Sequence, residues 1–126
     1  MAATQTITIR GVDITAYLIK DTDRAKKFYG DTLGLEMTSD YGPQGGEYTF
    51  PDGTTFGLWR VDEPEWHTSG TVMFNVDDVR AAVDYYKSRG VKIADDVFDS
   101  PVCLMAFGED SEGNSFILHQ RKNGRD

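Results

Sequence analysis

The chain has 126 residues, 39% hydrophobic and 12% aromatic, with 13 Lys and Arg against 21 Asp and Glu for a net charge of −8. This is the size of one domain, or of two small units sharing a core, and it is too rich in aromatics for a disordered tail. The acidic balance, relieved only by isolated pairs such as Lys26 with Lys27 and Arg121 with Lys122, argues against a nucleic acid or an anionic membrane as partner.

Residues 11–20 form a β-branched and aromatic run that predicts a strand. Asp21 then caps a helix with Ala25, Phe28 and Tyr29 at helical spacing, stopped between Gly30 and Gly34. The stretch 41–48 is either a mobile flap freed by Gly45 and Gly46 or a plain flexible connection. Residues 47–50 and 54–60 flank Pro51, Asp52 and Gly53, which predicts a hairpin. Residues 62–70 are polar and turn-rich and read as a linker. A strand over 70–76 follows, then a helix capped by Asp77 or Asp78 over Val79, Ala82, Val83 and Tyr86 and ended by Gly90. A strand through 104–107, a turn at 109–113 and a last strand over 114–120 complete the chain. The single cysteine, Cys103, excludes an intrachain disulfide framework and a Cys-based zinc cluster, and reads as a small buried hydrophobe. Residues 1–10 hold no apolar leader segment, and no run reaches the roughly eighteen apolar residues of a membrane span. The expected compartment is the cytoplasm.

The two halves repeat. Asp21 falls on Asp78, and Phe28 with Tyr29 falls on Tyr85 with Tyr86, at an offset of 57; Gly53 with Phe56 falls on Gly113 with Phe116 at an offset of 60. A single domain, 1–126, therefore holds two copies of a strand–helix–strands unit, 8–61 and 70–121. Each copy is too small to bury its helix and sheet alone, so the copies must pack together or pair across a dimer.

The run 21–35 (DTDRAKKFYGDTLGL), with 76–91 (VDDVRAAVDYYKSRGV) and 109–120 (EDSEGNSFILHQ), resembles the vicinal oxygen chelate superfamily of glyoxalases, bleomycin-resistance proteins and extradiol dioxygenases. The resemblance extends over residues 9–121 and rests on three segments in order together with the repeat. It implies an α+β fold of tandem βαβββ modules forming a curved, cup-shaped mixed sheet, usually in a homodimer.

Alternation along the strands says which side chains line such a cup. Val72, Phe74 and Val76 suit packing under a helix, which turns Thr71, Met73 and Asn75 into the cup. By the same phase Thr55, Gly57 and Trp59 face inward with Phe56 and Leu58 behind, and Ser115, Ile117 and His119 face inward with Phe116 and Leu118 behind. The family register turns Ile14, Ala16 and Leu18 inward on the first strand. The expected ligand-binding residues are therefore Ile14, Ala16, Leu18, Thr55, Trp59, Thr71, Met73, Asn75, Ser115, Ile117 and His119.

In metal-dependent members of the family, four cup positions supply His, Glu or Gln to a divalent cation. Carried onto this chain they are Ile14, Gly57, Thr71 and Ile117, none of them a strong ligand. A one-residue slip would bring Asp13 into the first slot but turn Ile14 and Ala16 the wrong way. His119 reads as a polar wall residue, and His67 as part of a solvated loop. No metal site and no cofactor are expected. The first functional reading is a metal-free protein holding an apolar or aromatic small molecule, with Trp59 stacking on a ring. The alternatives are a superfamily enzyme (lyase, isomerase or dioxygenase) using His119 or misplaced ligands such as Asp13 and Glu47, and a ligand-free structural role.

Overall fold

The computed structural model describes residues 12–122; the predicted starts of the first strand and first module, at residues 11 and 8, lie outside the described residues. The first half runs β1 (Ile14–Ile19), α1 (Thr22–Lys26), β2 (Met37–Asp40), β3 (Gly45–Thr49) and β4 (Thr55–Arg60). The second runs β5 (Val72–Asn75), α2 (Val79–Ser88), two short strands β6 (Lys92–Ile93) and β7 (Phe98–Asp99), then β8 (Cys103–Glu109) and β9 (Ser115–Arg121). Each half makes an open mixed sheet, ordered β1-β4-β3-β2 and β5-β9-β8-β6, with β7 also on β8. In each, the first strand lies parallel to the last and the remaining pairs are antiparallel. This is the α+β tandem βαβββ fold.

Local chemistry explains most of these elements. Asp21 accepts a hydrogen bond from the Arg24 N–H and Asp78 one from Ala81, so each helix begins where a carboxylate satisfies an orphan donor. The first helix is shorter than its spacing predicts. After α1 the chain widens into a π-helical turn, Lys27–Thr32, in which the Leu33 N–H reaches the Phe28 carbonyl. The wider turn lets neighbouring rings serve two contacts: Phe28 lies 6.2 Å from Phe116, while Tyr29 lies 5.0 Å from Phe56.

The second half of the predicted flap is part of the first sheet, and residues 42–44 form a 3-10 turn ahead of it. Gly45 and Gly46 open β3 and are buried, and a Cβ on Gly45 would lie 1.9 Å from the Leu58 carbonyl oxygen. Close approach of two backbones, rather than freedom, requires glycine there. The predicted linker is pinned as well. Trp66 donates its indole N–H to the Leu18 carbonyl at 2.9 Å, and Ser69 accepts from the Leu18 N–H and donates its own N–H to Asn114. Cys103 is buried, as expected. Among the described residues no helix is long and apolar enough to cross a membrane.

One core serves both halves. Tyr17, Ile19, Tyr29, Phe56 and Leu58 from the first pack with Val79, Val83, Ala106, Phe116 and Leu118 from the second. Each large side chain so buried contributes roughly 1.5–3 kcal/mol. Ring contacts cross the boundary, Phe56 to Phe74 at 5.4 Å and Phe28 to Phe116 at 6.2 Å. The helical segments are tied to each other too, Tyr86 donating to the Leu33 carbonyl and Arg89 to those of Asp31 and Thr32.

Candidate functional site

Because the packed faces of both sheets look into that shared core, their other faces turn outward from it. The first sheet's open face follows from its register. Ile14 sits beside Thr55, Ala16 beside Gly57 and Leu18 beside Trp59, while Tyr17 and Ile19 are buried. Asp13 precedes the strand. On the far side of β4, Thr49, Glu47 and Gly45 pair with Thr55, Gly57 and Trp59. Hydroxyls run across one row, Thr38 to Thr49 at 3.0 Å and Thr49 to Thr55 at 3.2 Å.

The second sheet's open face carries Met73, Ile117 and Phe107 in one row and Asn75, His119, Met105 and Phe98 in the next. Ser115 pairs with Glu109 one row further, and Thr71 lies just before β5. The eleven expected residues therefore divide into two groups, five on the first sheet and six on or beside the second. Sequence reasoning did not place Phe107, Met105 or Phe98 on this wall, although alternation back from the turn at Gly113 carries the signal for the first two.

A cleft of about 580 Å³ opens along the seam between the halves, lined by Leu33, Leu35, Phe50, Phe74 and Tyr86, with Asp52 and Asp77 as its only charged residues among those described. It shares only Thr55, Met73 and Asn75 with the expected set.

Charge is concentrated elsewhere, in a buried network. The Glu112 carboxylate is fully buried and accepts from the N–H groups of Lys20 and Asp21 and from Arg24, whose Nε lies 2.5 Å away. Burial alone raises its pKa, but the Arg24 guanidinium and the two N–H donors outweigh that and hold it below the usual carboxylate range. Asp110 accepts from the Tyr29 hydroxyl at 2.7 Å and from the N–H groups of Glu112 and Asn114. Burial first, and the Asp110 charge second, push the Tyr29 hydroxyl far above its ordinary range.

The sequence profile of the glyoxalase/bleomycin resistance protein/dioxygenase superfamily matches residues 11–118. The chain belongs to this superfamily. Solved structures of similar fold include a glyoxalase family protein from Bacillus anthracis, at 17% identity and TM-score 0.75, with 94% of this chain and 100% of that one covered. TnmS3, an antibiotic binding protein from Streptomyces sp. CB03234, is 26% identical over 93% of this chain and 100% of its own, with TM-score 0.71. Lactoylglutathione lyase from Agrobacterium tumefaciens is 23% identical over 89% and 94%, with TM-score 0.67. No curated protein matches the chain by sequence.

Ile14, Gly57, Thr71 and Ile117, the positions expected from the resemblance to match the metal ligands, carry no side chain that binds a cation strongly. The space at Gly57 is bounded by Ile14, Ala16 and the stem of Glu47, which offers one carboxylate where about three protein donors are needed. His119 stands on the other sheet between Asn75 and Met105. Among the described residues no three His, Cys, Asp or Glu side chains are grouped to hold an ion.

Proposed function

We propose that the protein binds a small, largely apolar or aromatic organic molecule on its open sheet faces, without a metal, as a cytoplasmic homodimer. The modules 8–61 and 70–121 of the single domain give one wall each. Since both walls of one chain turn outward, a second copy brings the first wall of one chain opposite the second wall of the other. Trp59 stacks on the ligand, with Ile14, Ala16, Leu18, Met73 and Ile117 as apolar contacts, and Thr55, Thr71, Asn75, Ser115 and His119 as polar handles.

The observation that carries this reading is the exposure of large apolar side chains on both open faces: Ile14 46%, Trp59 49%, Met73 54% and Phe107 46%. Exposed apolar side chains set among a few polar ones on a sheet face suit a small-molecule site. That TnmS3, 26% identical, is an antibiotic binding protein supports a small molecule as the ligand.

A thermal-shift screen with aromatic metabolites and antibiotics tests it. A ligand at a hundred times its Kd adds about 2.7 kcal/mol, a rise of several degrees for a chain of this size. A broad panel without any stabilisation contradicts the binding reading. One bound equivalent of metal in protein purified without additions contradicts its metal-free form. A sedimentation mass equal to one 14.1 kDa chain contradicts the dimer.

A further inference from the structure

We propose that the first sheet's open face holds a recognition notch, floored by Gly57 and Ala16 and closed at one end by Glu47, that takes the cationic or hydrogen-bond-donating edge of a planar aromatic ligand. This rests on the reading that the open faces bind ligand, and it names what the first face selects.

The geometry comes from three adjacent rows. The middle row, Ala16, Gly57 and Glu47, has little side chain over two of its three strands. A bulky row lies on either side, Leu18 with Trp59 and Ile14 with Thr55. A Cβ on Gly57 would lie 3.5 Å from Ile14 Cγ2, 3.7 Å from Ala16 Cβ and 3.7 Å from Glu47 Cγ, so these three side chains surround the space that glycine leaves. Trp59, half exposed and two residues along the same face, forms a stacking wall beside it.

Glu47 gives the notch its chemistry. It is the only ionisable residue at the open-face positions of β1, β3 and β4. Its side chain is half-buried, and its carboxylate has no hydrogen bond or ion pair among the described residues. A carboxylate accepts and cannot donate, so a partner must bring an N–H or O–H, best on a cation. The net charge of −8 draws the same class of ligand at long range.

Two variants separate the parts. Gly57→Val is tolerated by the strand, since the added Cβ meets only ordinary contacts and β-branched residues suit β4, yet its methyls fill the notch. Glu47→Gln keeps the shape and removes the charge. Fluorescence titrations use 9-aminoacridine, cationic at neutral pH, and anthracene-9-carboxylate, a tricyclic anion of similar size, with thermal midpoints confirming that each variant is folded. Wild-type protein is expected to bind the cation at least about tenfold more tightly than the anion. Glu47→Gln removes that preference, and Gly57→Val weakens both probes by about tenfold or more. A preference that survives Glu47→Gln overturns the notch, as does its loss in Asp77→Asn instead, which assigns the probe to the seam cleft. Wild-type protein stabilised by other members of the aromatic panel but binding neither probe overturns the notch alone. Protein stabilised by nothing in the panel overturns the reading beneath it.

Discussion

Two hairpin turns occupy equivalent places in the repeat and do different work. In the first half Asp52 folds over its own turn, accepting from the N–H and hydroxyl of Thr54 on the exposed rim of the seam cleft. In the second half Asp110, two places earlier in the repeat, accepts from the N–H groups of Glu112 and Asn114, but the turn is buried and reaches across to the other module. Glu112 binds the corner between β1 and α1, Asp110 binds Tyr29, and the Asn114 amide donates to the Leu18 carbonyl. Similar turn chemistry thus shapes an exposed turn on one side and an inter-module latch on the other. The latch forms because donors of the first module lie within reach of Glu112 and Asp110.

The largest effect that can break this contrast is Asp110→Ala. It strands the Tyr29 hydroxyl and two backbone N–H groups in the core, and urea denaturation should show a loss of about 3 kcal/mol. A loss under about 1 kcal/mol removes the latch from the account. Glu112 gives the same contrast a pH signature. Its folded pKa is lowered, so its stabilisation is complete above the ordinary carboxylate range and is lost as pH falls through the lowered folded value. Glu112→Gln should be less stable at neutral pH and show a flatter acid limb in the same denaturation experiment.

Smaller effects sharpen it. Tyr29→Phe deletes a bonded buried hydroxyl and should cost about 1–2 kcal/mol. Tyr48→Phe deletes a buried hydroxyl with no hydrogen-bond partner among the described residues, which burial pushes up to about 12 in pKa, and should be neutral or stabilising by about 1 kcal/mol in the same denaturation experiment. Smallest is Thr54→Ala, which deletes the exposed hydroxyl that donates to Asp52; a change beyond about 0.5–1 kcal/mol contradicts the reading of that turn as a surface feature.

The parts of the fold legible in the sequence are those fixed by local chemistry. The caps at Asp21 and Asp78, the glycine-bearing turns and the alternation around Phe56, Phe74 and Phe116 each carry their own signal. β2 carries none: Met37–Asp40 is short, polar at three of four positions and shifted in register against β3. Gly45 and Gly46 misled for a tertiary reason, because only the strand packed against them shows that close approach, not flexibility, selects glycine. For the site, alternation told which side chains share a face of each sheet. It could not tell that both open faces turn away from one core, since that depends on contacts such as Phe56 with Phe74. Glu47 was within reach: it and Gly57 are each five residues from Asp52, so the predicted hairpin already pairs them.

The central claim, that ligand is held on the open sheet faces, is tested most directly by the two indole N–H resonances of the folded protein during titration with a stabilising aromatic ligand. Trp59 is half exposed on the first wall, whereas the Trp66 indole N–H is held by the Leu18 carbonyl at 2.9 Å. The expected result is a saturable shift of the Trp59 signal while that of Trp66 stays close to its free position. Saturable binding that leaves the Trp59 signal unmoved would contradict it.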